Sequence, residues 1–106
     1  MQHIMHLDES PFSLIKNGIK TIELRVYDDK RRTFKKNDTI KIINRKSNET
    51  ILVLIEELYV YDSFEELYKH LDEKLIVFKL EELDKFYPKE EQKEFGVVGI
   101  QLKLID

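Results

Sequence analysis

A chain of 106 residues without cysteine has room for one hydrophobic core, so residues 1–106 read as one domain, and disulfides and thiolate metal sites are excluded. Apolar residues make up 42% and charged residues 37%, the balance of a globular protein with a heavily ionised surface, and no run approaches the roughly 18 apolar residues of a membrane helix. The net charge of −3 divides unevenly: residues 1–50 carry 11 Lys/Arg against 7 Asp/Glu, a net +4, and residues 51–106 carry 7 against 14, a net −7.

The opening "MQHIMHLDES" lacks the basic segment and apolar core of a secretory signal, so a cytoplasmic location is expected. Within it "HIMHL" alternates weakly, as a first strand does. "DESPFSLIKNG" carries helix punctuation: Asp8 or Ser10 as N-cap, Pro11 in the first turn and Gly18 just past the end. "TIELRVYD" predicts a second strand with Ile22, Leu24 and Val26 on one side. The basic, polar "DDKRRTFKKND" reads as a loop or a single helical turn. "TIKIINRKSNETILVLIEELYVY" predicts a hairpin turning at Ser47, Asn48 and Glu49. "SFEELYKHL" opens with a capping box, Ser63 three residues before Glu66, and spaces Phe64, Leu67, Tyr68 and Leu71 helically. A β-prone or turn-like stretch is expected at Leu75 to Phe78, then a helix stopped by Pro88. "KEEQKEFG" reads as a charged helical turn ended by Gly96, and "VVGIQLKLID" as a closing strand. Five or so strands among short helices predict a mixed α+β domain. The long, two-sided apolar strand "ILVLIEELYVY" favours a sheet curled into a small barrel.

The segment "GIKTIELR" stands out for its charge. On a strand, Thr21, Glu23 and Arg25 share one face and Ile22, Leu24 and Val26 the other, while Lys20 sits at the junction with the preceding helix. A lysine, a carboxylate and an arginine converging there can bind phosphate, orient a base edge or tune one another's pKa. The bland alternative is a surface Glu23–Arg25 pair worth about 1 kcal/mol or less. Residues 16–36 hold eight basic side chains against three acidic ones, a local +5, which points to an anionic ligand.

Gly18-x-Lys20-x-x-Glu23-x-Arg25 resembles, at each fixed position, the GxKxxExR motif of ASCH domains (activating signal cointegrator homology), a branch of the PUA-like β-barrels. "PFSLIKNGIKTIELR" is similar to the family's helix-then-motif opening, "FKKNDTIKI" to the strand entry that follows, with Asn37 in place of the family glycine, and "YPKEEQKEFGVVGIQLKLI" to its closing segment. The resemblance, to the single-domain bacterial type, implies a PUA-like barrel of about five or six strands flanked by short helices. It also implies a cleft floored by Lys20, Glu23 and Arg25, and recognition of RNA or of a nucleoside or nucleotide. Thr21, the basic residues Arg31, Arg32, Lys35 and Lys36, and Tyr87 as a stacking aromatic complete the expected ligand-binding set.

One small branch of that superfamily hydrolyses acetylated cytidine with a Lys, a Thr and a Glu. Its Thr lies three residues after the Lys, where this chain has Glu23, and Thr21 does not fill that position. A carboxylate cannot stand in for a hydroxyl nucleophile in amide hydrolysis, so a hydrolase acting on a modified nucleoside or on RNA is the alternative, with Lys20 and Glu23 as acid/base candidates. His3, His6 and His70 are unclustered, so neither a metal nor another cofactor is expected.

Overall fold

Period-two alternation along the predicted strands becomes the inner face of a curled, half-barrel sheet. The computed structural model describes residues 1–105. In chain order these are β1 (Gln2–Leu7), α1 (Glu9–Lys16), β2 (Ile22–Val26), the one-turn α2 (Asp29–Arg32), β3 (Thr39–Asn44) and β4 (Thr50–Tyr61). Then come α3 (Phe64–Tyr68), α4 (Glu73–Ile76), α5 (Leu80–Phe86), α6 (Lys89–Phe95) and β5 (Val97–Leu104). The sheet order is β1-β3-β4-β5-β2, with β1 parallel to β3 and the other neighbours antiparallel. β4 pairs β3 through Thr50–Leu54 and β5 through Val53–Tyr61. A register shift between Ile55 and Glu57 bends it, as an extra residue in one strand does. β1 and β2, consecutive in sequence, end at opposite edges of the sheet, with α1 carrying the chain between them.

Two apolar clusters follow from this curl. Met5, Leu7, Ile40, Ile42, Ile51, Val53, Ile55, Val98, Ile100 and Leu102 fill the inner face, joined by Phe12 and Ile15 of α1 and by Phe34. The outer faces of β2 and β5 (Ile22, Leu24, Val26, Val97) are covered by Phe64, Leu67, Ile76 and Leu83 from α3, α4 and α5. The first half of β5, residues 97–100, is therefore buried on both faces. Gly99 makes that possible, since a Cβ there would stand 3.0 Å from Leu71 Cδ1.

Most punctuation is where the sequence puts it. Gly18 and Gly96 take positive φ at +75° and +74°, conformations glycine adopts without steric cost. Ser63 Oγ accepts from Glu66 N at 3.1 Å, while the Glu66 carboxylate turns to Lys69 and His70 instead of completing the box. Asp8 rather than Ser10 is the N-cap of α1, and its carboxylate pairs with Arg45 at 2.9 Å instead of capping the backbone.

Two local expectations are corrected. The β3–β4 turn starts earlier than Ser47, because Asn44 Oδ1 accepts from Lys46 N and Ser47 N and so closes an Asx turn. Of the two readings of the stretch from Leu75, the turn-like one holds and the β-prone one does not: Glu73–Ile76 forms a helical turn capped by Asp72, followed by Val77 at φ +78°. Tertiary contacts override the β-branched preference there. Thr21 N donates to Leu75 O at 3.0 Å, and the Lys20 ammonium holds Ile76 O. Among the described residues no helix is long and apolar enough to cross a membrane, and no group of three or more His, Cys, Asp or Glu gathers as a metal site would require.

Candidate functional site

Cross-strand partners share a sheet face, and β2 pairs Glu23 with Ile100 and Arg25 with Val98. Two charged side chains thus stand on the inner face beside core residues. They are tolerated because β2 is an edge strand and their polar ends meet a cleft of about 470 Å³. One wall of that cleft comes from the end of β1 and the start of α1 (Leu7, Asp8, Pro11), with Arg45 from the β3–β4 turn. The other comes from Phe78, Phe86 and Tyr87 around α5.

Under the floor lies Lys20, 1% exposed. Its ammonium donates to Ile22 O at 2.6 Å and Ile76 O at 2.7 Å and faces Glu23 Oε1 at 3.6 Å. Two carbonyls take its hydrogen bonds, and the Glu23 carboxylate balances its charge. Burial pushes the Lys20 pKa down, and the neighbouring Glu23 charge opposes that lowering. Glu23, with 9% of its side chain exposed, also accepts from Leu24 N at 3.3 Å and from Arg25 Nη2 at 3.1 Å. Arg25 retains a buried Nε without a protein partner among the described residues. Tyr87 stands close enough to Arg25 for their charges to interact, and burial raises its pKa, so its hydroxyl keeps its proton at neutral pH.

The sequence-predicted basic set is dispersed. Arg31 lies over the Phe34 ring at 5.6 Å, close enough to Arg25 and Tyr87 for their charges to interact. Arg32 turns away, stacking on Tyr27 at 4.4 Å and donating to Phe95 O at 2.9 Å. Lys36 pairs with Glu57 at 3.4 Å, and Lys35 is exposed. Thr21 is fixed by its backbone, donating to Leu75 O and accepting from Leu102 N, and does not line the cleft. Arg45, Phe78 and Phe86 line it without having been singled out. Phe86, 75% exposed at the end of α5, was the legible one, as a large aromatic ending a helix beside Tyr87.

A second depression of about 580 Å³ is lined by Tyr27, Arg32, Lys93, Phe95 and others. It is larger, but no buried Lys–Glu–Arg network underlies it. Buried, perturbed charge beside a concave apolar surface is the stronger pointer to function, which favours the smaller cleft.

The ASCH domain model matches residues 5–106. The chain belongs to the ASCH domain family. Its fold matches the crystal structure of hypothetical protein PH0355 with a TM-score of 0.86 and 33% identity, over 99% of this chain and 100% of that one. It matches the solution structure of protein PF0455 from Pyrococcus furiosus with a TM-score of 0.77 and 33% identity, over 100% and 99%. The ASCH crystal structure from Zymomonas mobilis, at 14% identity and a TM-score of 0.77 over 96% of this chain and 66% of that one, shares the fold. No curated protein matches the sequence. In this ASCH domain the motif divides by position. Gly18 gives the left-handed turn out of α1, Lys20 fastens β2 to α4 from beneath, and Glu23 and Arg25 rise into the cleft.

Proposed function

We propose that this ASCH domain, acting as one cytoplasmic domain over residues 1–106, binds RNA or a nucleotide-like ligand in the cleft above Glu23 and Arg25. The observation that carries this reading is the side-by-side placement of a part-buried carboxylate–guanidinium pair and the aromatic walls Phe78, Phe86 and Tyr87. Carboxylates accept from base amino groups, guanidinium groups donate to base carbonyls and phosphates, and aromatic rings stack on bases. Lys20 acts through Glu23, holding the carboxylate from below, and Thr21 fixes the strand. Arg31 adds charge beside the floor, and Arg32, Lys35 and Lys36 supply a field for the approaching backbone.

The hydrolase alternative is not favoured. The Lys20 ammonium is occupied by two carbonyls, and the position three residues on holds Glu23 rather than a hydroxyl. The test is fluorescence anisotropy of a labelled single-stranded RNA. Phe86→Ala is expected to weaken binding about tenfold, as loss of one stacking partner does. The Arg31, Arg32, Lys35, Lys36→Ser variant is expected to weaken all sequences alike and flatten the salt dependence. RNA binding unchanged in both variants would sink the reading.

A further inference from the structure

We infer that the cleft anchors its ligand through a phosphate group held between Arg25 and Arg31, so that it takes a phosphorylated nucleotide or a phosphodiester rather than a bare nucleoside. This rests on the reading of the cleft as a site for RNA or a nucleotide-like ligand.

Two buried side-chain donors have no protein partner among the described residues, Arg25 Nε and Arg31 Nε, and they belong to neighbouring guanidinium groups. A buried N–H left unpaired is unfavourable, and native structures rarely keep one without a use. Neither nearby carboxylate reaches these two Nε atoms. Glu23 Oε2 takes Arg25 Nη2 at 3.1 Å, and Asp28 Oδ1 is spent on Arg31 N at 3.1 Å as the cap of α2. Arg25 stands across from Val98, which belongs with Phe34 to the inner cluster, and Arg31 lies over the Phe34 ring. Both arginines therefore border the inner cluster, near enough for their charges to interact.

The charges add to the same point. Lys20 and Glu23 offset each other, and the pKa of Arg31 is lowered first by burial and then by the Arg25 charge, with Asp28 opposing. An anion between them would relieve that repulsion and accept from both orphaned N–H groups. A tetrahedral phosphate offers several acceptor oxygens to such a pair, with the Tyr87 hydroxyl, beside Arg25, as a further donor. The base would then extend toward Phe78 and Phe86.

The experiment titrates the ¹⁵N-labelled protein with the four nucleosides, their 5′-monophosphates, inorganic phosphate, and a short single-stranded RNA lacking terminal phosphates, following the arginine Nε–H signals. Arg31→Lys keeps the charge but deletes its Nε–H, and Tyr87→Phe provides a second, milder variant should the first fold poorly. The monophosphates or the RNA are expected to bind at least tenfold more tightly than the nucleosides, moving both Nε–H signals, and Arg31→Lys is expected to cut that advantage below threefold while nucleoside affinity holds. Response to monophosphates identifies a free nucleotide as the source of the phosphate, and response to the RNA alone identifies the backbone. Nucleosides binding as tightly as their monophosphates, with both signals still, would overturn the phosphate anchor and leave the nucleotide cleft standing. Failure of every probe, RNA included, would remove the cleft reading and the anchor with it.

Discussion

Glu23→Gln keeps the shape of the side chain and deletes its charge, and its consequences can be worked from the geometry. The Lys20 ammonium, 1% exposed, lies 3.6 Å from a carboxylate that is 9% exposed. At about that distance two unit charges attract by roughly 4 kcal/mol in a partly screened protein interior. The amide oxygen of Gln and the carbonyls of Ile22 and Ile76 would still accept from Lys20, so part of the interaction survives. Breaking one partner of a buried pair leaves the other charge uncompensated, and a loss of about 3 kcal/mol is expected, equivalent to a fall in Tm of about 12 °C for a domain of this size. Urea unfolding of Glu23→Gln measures it. Glu57→Gln is the control: its pair with Lys36 has side chains 43% and 60% exposed, so solvent screening leaves it little effect on stability. Adding Lys20→Met to Glu23→Gln should recover part of the loss, because no buried ammonium is then left unpaired. A Glu23→Gln cost no larger than that of Glu57→Gln would refute the buried-network reasoning. Nucleotide binding intact in the folded, destabilised variant would instead make Glu23 scaffold and defeat the site reading.

Three further outcomes are expected. Tyr68 donates to Phe78 O at 2.6 Å, and burial raises its pKa well above the ordinary 10; its contribution is present below pH 10 and lost as pH climbs toward the folded-state value. Tyr68→Phe should therefore cost about 1 kcal/mol near neutral pH and make the alkaline decline above pH 10 shallower in pH-dependent denaturation; an unchanged decline would count against it. Gly96→Ala places a Cβ 3.1 Å from Tyr61 O at φ +74° and should lower stability by about 1–2 kcal/mol in thermal melts; a melt within error of the parent would contradict the strain. Purified protein incubated with acetylcytidine should release little or no cytidine by chromatography, and rapid release abolished by Lys20→Ala would revive the hydrolase alternative.

Much of the candidate site is legible because its charges share one short strand. Period-two alternation put Glu23 and Arg25 on one face of β2 and three apolar residues on the other, and both faces are so used. What alternation does not report is depth. Lys20 was expected beside the ligand and lies beneath the floor, because its acceptor at Ile76 is 56 residues away. Arg31, Arg32, Lys35 and Lys36 read as one basic stretch, yet the one-turn α2 and the loop after it send Arg31 over Phe34, Arg32 onto Tyr27 and Lys36 to Glu57.

The sequence by itself determined the strands with clear alternation, the glycine turns at Gly18 and Gly96, the Ser63 cap and the charged pair on β2. Each of these depends on contacts within a few residues, or on a side-chain period that the backbone imposes wherever a strand forms. Tertiary structure decided the rest. The exchange of β2 to the far edge, the helical turn at Glu73–Ile76 and the meeting of Arg45, Phe86 and Tyr87 around one cleft require partners dozens of residues away. Their energies arise from burial and from satisfying buried polar groups, and these exist only once the sheet has curled.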